Sequence, residues 1–303
     1  MTNDTTQSGR LVMAVTAVLM GLFMMFAVPY LAINTLNPAL HGLVDVFQIQ
    51  QPDGVWDTPV GILNSTFHLW IGLIFFGGAA LLLLANYIRN DAKWARPVAL
   101  GILAIPSIGG MAMSIPWMVL VMRDAWGTPI KAGLPPSVFI MIAGLIGYFI
   151  MLLTEKADKK TKINQIVVFT VIGLVAGFIF MNAQHGVRFF LGRPSAPFVE
   201  AVESNPELFL GGFGLYAASI LFPIAIGLLA ARKKIGWDLA VLAGIITFAA
   251  QFLAYLDRAA INQASAQEWM RGALFSVVLL VVLLIPAVKN RLFEIPEGKS
   301  LSS

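Results

Sequence analysis

The sequence predicts an all-α, polytopic integral membrane protein of about eight transmembrane helices, and three observations carry that reading. Of 303 residues, 58% are apolar and 12% charged, with a mean hydropathy of +0.81. Soluble domains run near half apolar and a quarter charged, so this chain lacks the polar groups to coat a water-exposed surface. The apolar residues come in eight runs near the 20 or so residues a helix needs to cross the hydrocarbon layer. The runs are continuous rather than alternating, which excludes a barrel, whose strands would show period two.

The runs fall at about 11–35, 62–87, 97–121, 136–154, 164–183, 208–231, 238–256 and 271–289. Met1 to Arg10 is polar, and the run after it is too long for a signal peptide and lacks a small-residue cleavage site. It reads as a retained first span. The third run contains Pro106, Gly109, Gly110 and Pro116, which predict either a kinked or broken helix or a tight crossing built on small residues.

Orientation follows from the connections. The N-terminal tail, 88–96, 155–163, 232–237 and the tail from 288 hold 14 of the 20 Lys and Arg; the opposite side holds the other six, five in its connections and Arg271 at the start of the last run. The positive-inside rule then puts both termini in the cytoplasm of a multi-pass protein of the cell inner membrane. The opposite connections, about 36–61, 122–135, 184–207 and 257–270, read as longer loops rich in acids, Pro, Gly and Trp.

The organisation expected is a cytoplasmic tail over 1–10, a four-helix bundle over 11–154, a basic linker over 155–163, a second bundle over 164–289 and a cytoplasmic tail over 290–303. The two bundles have the marks of a parallel duplication. Span one exits through His41-Gly42 and span five through His185-Gly186; from His41 to Trp94 is 53 residues, and from His185 to Trp237 is 52. The plainer alternative is that apolar sequences align easily and that Trp belongs at membrane interfaces in any case.

Several functions are excluded. With no cysteine there is no disulfide, thiolate metal site, iron–sulfur ligation or cysteine nucleophile. The basic residues sit in short runs between spans, so nucleic acid is not an expected partner. No charge falls at mid-depth of a span, which argues against a proton relay across the bilayer. There is no Lys within a span for a Schiff base, no phosphate-binding glycine loop and no HExxH.

What remains is a polar level near the outer surface. His68 lies one to two turns inside the second span, and a His in lipid needs a partner. His185 and Arg188 follow the fifth span; Tyr255 and Asp257 end the seventh. A pocket of His68, His185, Arg188, Tyr255 and Asp257 can hydrogen-bond a quinone carbonyl or hold an anionic group. Residue by residue, the plainer reading is local pairing at span ends. Two facing imidazoles would also make a b-type haem site, but no recognisable histidine spacing supports one, so quinone ranks ahead of haem b. The expected function is a membrane-embedded subunit of a respiratory-type redox complex with an outer quinone or quinol site. Its partners would be the lipid bilayer and other subunits. The alternatives are a permease for a small neutral or anionic solute, a ligand-free accessory subunit and an intramembrane lipid-modifying enzyme.

Overall fold

The computed structural model describes residues 6–50, 57–123, 128–155, 157–191, 206–259 and 263–293. In chain order these form α1 (Gln7–Leu22), one π-helical turn (Phe23–Ala27), α2 (Val28–Gln50), α3 (Asp57–Arg89), α4 (Ala95–Leu120) and α5 (Ser137–Leu153). Then come α6 (Lys159–Leu191), α7 (Pro206–Ala230), α8 (Lys234–Ala259), α9 (Gln263–Leu284) and α10 (Pro286–Phe293). Among the described residues there is no strand, only an isolated bridge between Arg123 and Pro129. Among the described residues seven helical stretches are long and apolar enough to cross a membrane, and an eighth apolar helix, Ser137–Leu153, has 17 residues. At 1.5 Å per residue that helix is roughly 26 Å long, a little short of a hydrocarbon layer of about 30 Å. The chain is a multi-pass helical membrane protein, and the expected count of eight is approximate.

The helices run further than the apolar runs. The first rod, Gln7–Asp45, has 39 residues, or roughly 58 Å. It carries His41-Gly42 inside a helix rather than in a helix-ending turn, and His185-Gly186 likewise lies within α6. Much of the expected loop at 36–61 is therefore helix, and Glu268 and Trp269, expected in a loop, sit on α9. Hydropathy reports what lipid tolerates, whereas a helix continues into water until a breaker stops it.

Two prolines act as their chemistry demands. Pro29 has no N–H to offer and its ring would strike the carbonyl one turn back. The π-helical turn just before it widens the rod there, with the Val28 N–H reaching back to the Phe23 carbonyl. Pro286 ends α9 and opens α10, the first-turn position where a missing N–H costs nothing.

α4 is helical throughout in spite of Pro106 and Pro116, so the broken-helix expectation does not hold. The glycines serve close approach instead. A Cβ on Gly109 would run into the Trp70 indole nitrogen of α3, and one on Gly110 would lie 2.5 Å from the Met141 backbone nitrogen of α5. Helices in lipid gain little from apolar burial, so close van der Waals packing must hold them.

α1–α2, α3, α4 and α5 pack in a ring, each against the next and α5 back against the first rod; α6, α7, α8 and α9 do the same. The rings meet where α4 packs on α6 and α7, and α3 on α6. Trp70 and Phe180 lie across this seam with ring centroids 4.5 Å apart.

The connections expected on the basic side gather at one end of the molecule. Arg10 and Asp91 form a 2.8 Å ion pair. Glu155, buried after α5, receives Arg96 at 3.2 Å and Arg232 at 2.7 Å. Arg96 also donates to the Leu152 carbonyl at 3.0 Å, and Gln165 donates to Glu155. Asn164 of α6 reaches the Val288 carbonyl of α10 at 3.0 Å. At the start of α6, hydrogen bonds from the Thr161 side chain and the Thr161 and Lys160 amides hold the Asp158 carboxyl below its ordinary value.

Candidate functional site

At the end away from these charges, a cavity of about 240 Å³ lies on the seam between the two rings. α2 supplies Leu36 and Leu43, α3 supplies Phe67, and α4 supplies Pro116 and Leu120. The polar lining comes from α6, with Gln184 and His185, and from α9, with Glu268. An apolar chamber with a few polar groups at one place is the usual form of a small-molecule site.

Helical periodicity sets these groups side by side. Gln184 is 1% exposed, and its side-chain oxygen accepts a hydrogen bond from the Thr66 hydroxyl of α3. Its Nε2 is buried with no hydrogen-bond partner among the described residues. An unsatisfied buried donor costs about 1–3 kcal/mol. His185 Nδ1 lies 3.2 Å from Glu268 Oε2, and the imidazole sits near the Trp269 ring, centroids 6.0 Å apart. A carboxylate beside Nδ1 helps to orient the imidazole. Behind this layer, Asn182 donates to Gln251 of α8 at 2.7 Å, both buried.

Close packing fixes the frame. A Cβ on Gly186 would lie 2.8 Å from the Gly212 Cα of α7, and 3.3 Å from the Trp269 ring. The His-Gly pair thus marks a helix crossing, which lets α6 and α9 approach closely enough for His185 to reach Glu268.

Of the residues singled out in the sequence, the structure brings His185 to the cavity. His68 is exposed on α3, its Nδ1 2.7 Å from the Asn64 carbonyl of its own helix, and its neighbour Phe67 lines the cavity instead. Asp257 lies beside Arg258, Oδ2 to Nε 3.3 Å, and Tyr255 packs near Phe252 at 6.1 Å. Neither lines the cavity. The Arg188 side chain lies outside the described residues. Gln184, Glu268 and Thr66 were missed as site members. A helix carried through His185 puts Gln184 on the same turn, a signal that was available; Glu268 gave none while its segment read as loop.

The arrangement offers an amide donor, an imidazole and a carboxylate at one wall of an otherwise apolar chamber. It can recognise a carbonyl or hydroxyl on a largely apolar molecule, and it can take up or release a proton there. Among the described residues no group of three or more His, Asp or Glu could hold a metal ion. Comparison with protein families, curated proteins and solved structures finds no match to this chain.

Proposed function

We propose that the protein is a membrane-embedded subunit of a respiratory-type redox complex and binds a quinone or quinol in the cavity between its two rings. The observation that carries the reading is Gln184, whose buried amide is half satisfied by Thr66 and presents an unpartnered N–H donor. A quinone carbonyl is an acceptor without a donor and suits that group. The Leu, Phe and Pro side chains around it suit a ring.

His185 and Glu268 supply the proton chemistry in this reading. A quinol hydroxyl facing the imidazole gives its proton to His185, and Glu268 offsets the imidazolium charge. Oxidising a quinol fully releases two protons and two electrons: His185 takes the first proton, passes it to the outer aqueous side and then takes the second, and the electrons go to a redox centre of a partner subunit. The basic end faces the cytoplasm by the positive-inside rule, so the cavity opens toward the outer side of the inner membrane.

The test is chemical. Protein purified in mild detergent is extracted and its lipids are chromatographed, while the visible spectrum is recorded. The expected result is bound quinone in the wild type and much less with Gln184→Leu. Quinone absent from wild-type protein contradicts the reading, and a Soret band in its place points to haem b.

One observation favours the permease alternative. α4 lines three cavities in succession, from Pro116 and Leu120, through Ser107 and Met111, to Gly101 and Pro97 near the basic end. Solute flux into vesicles by quinone-free protein would favour that reading.

A further inference from the structure

A second hollow lies at the basic end, also on the seam, as an open groove of about 870 Å³ between α4 and α7. We propose that it holds an anionic phospholipid of the leaflet at that end, one acyl chain along the groove and the headgroup between Lys93 and Lys233. The inference is independent of any ligand at the opposite end.

Three observations carry it. The first is length. The groove follows α4 from Pro97 to Ile105 and α7 from Pro223 to Leu228, and the turns that carry Lys93 and Lys233 stand at its mouth. Eight residues of helix rise roughly 12 Å, close to the depth of one leaflet of a hydrocarbon layer of about 30 Å. The second is polarity. The walls are apolar, with Val98 45% and Ile224 48% exposed along them, and the cations stand only at the mouth. Lys93 and Lys233 are both exposed there. Trp94, 54% exposed, lies beside them, as an indole does at headgroup depth. The third is the floor. α4 and α7 cross closely, so that a Cβ on Gly101 would lie 3.3 Å from the Pro223 carbonyl and 3.5 Å from the Gly227 Cα. The crossing closes the groove from behind and leaves its open side toward lipid.

Charge complementarity selects the occupant. The nearby acid of the α3–α4 turn, Asp91, is paired with Arg10, and Glu155 is buried under Arg96 and Arg232. The mouth is therefore net positive, and basic pockets between membrane helices on the positively flanked side favour anionic headgroups.

The test uses full-length protein in detergent, with phosphatidylglycerol and phosphatidylcholine of identical chains as probes, read by native mass spectrometry. The wild type is expected to retain phosphatidylglycerol roughly tenfold more tightly. The double variant Lys93→Gln, Lys233→Gln should lose that preference, while Lys159→Gln, Lys160→Gln, at the same end but outside the groove, should keep it. Val98→Trp, which fills the groove, should weaken both lipids. With both lysines intact, bromine-labelled phosphatidylglycerol should quench the Trp94 fluorescence more than the bromine-labelled choline lipid, the Trp94 contribution being taken by difference from Trp94→Phe. Equal retention of the two lipids by the wild type, equal loss in both lysine pairs, or equal quenching would each overturn the proposal.

Discussion

Arg96 and Arg232, from opposite rings of helices, meet at the two oxygens of one buried carboxylate. Arg96 Nη2 lies 3.2 Å from Glu155 Oε2 and Arg232 Nη2 lies 2.7 Å from Oε1. The side chains of all three are at most 8% exposed. Removing one partner of a buried ionic group costs about 3–5 kcal/mol, because the remaining charges are left without compensation. Glu155→Ala should therefore lower the melting temperature in detergent strongly, and Glu155→Asp should recover only part of the loss. A Glu155→Ala protein that melts with the wild type would show that the cluster does not hold the rings together.

Asp91 and Arg232 are the two described non-glycine residues with positive φ, at 62° and 54°. Each ends its helix in the same way, with its N–H bonded three residues back and the next N–H five residues back. Glycine suits that backbone, so Asp91→Gly, which gives up only a half-exposed surface pair, should lie within about 1 kcal/mol of wild type. Arg232→Gly should cost about 3–5 kcal/mol in spite of its favourable backbone, because it strips Glu155 of a partner. Equal effects of the two, measured by chemical or thermal unfolding, would contradict this account. The matched turns also fit the proposed duplication, in which α3–α4 corresponds to α7–α8.

Packing at the α4 crossings gives a third outcome. Gly110→Ala should destabilise by about 1–3 kcal/mol, since the new methyl meets rigid backbone of α5. Gly173→Ala, where nothing lies within 4 Å of the added carbon, should be neutral or slightly stabilising. Thermal melts of the two variants side by side decide the point.

Orientation is open to direct measurement because the chain has no native cysteine. A membrane-impermeant thiol reagent should label Lys160→Cys only from the cytoplasmic side and Lys131→Cys only from outside. Labelling with the sides exchanged would invert the proposed topology.

The fold class was legible because apolar runs of spanning length admit few alternatives. Helix ends were not. Leu43, Gln184 and Glu268 all lie on helices beyond the point where hydropathy marks a span, and their neighbours are polar enough to read as loop. That is why the His185–Glu268 contact was invisible, although His185 itself stood out as a polar group near the outer surface. His68 drew attention as an imidazole in lipid, yet it meets its need with the carbonyl of Asn64 one turn back, a solution that spacing within its own helix allows. The ionic cluster was hidden for another reason. Arg96, Glu155 and Arg232 each looked like a charge at a span end, and only the packing of α4, α5 and α7 reveals that they share one site.

Whether the cavity beside Gln184 binds a molecule of the quinone class is decided by a titration. A short-chain quinone analogue is added to purified protein and quenching of tryptophan fluorescence, Trp269 being beside the site, is followed to saturation. Binding should be saturable, and Gln184→Leu should weaken it by about 1–3 kcal/mol, or roughly five- to 150-fold, since one hydrogen bond to the carbonyl is lost. His68→Ala, on the exposed face of α3, should leave the affinity within about twofold of wild type. Failure of the wild type to saturate, or equal affinity of the wild type and Gln184→Leu, would contradict the proposed binding.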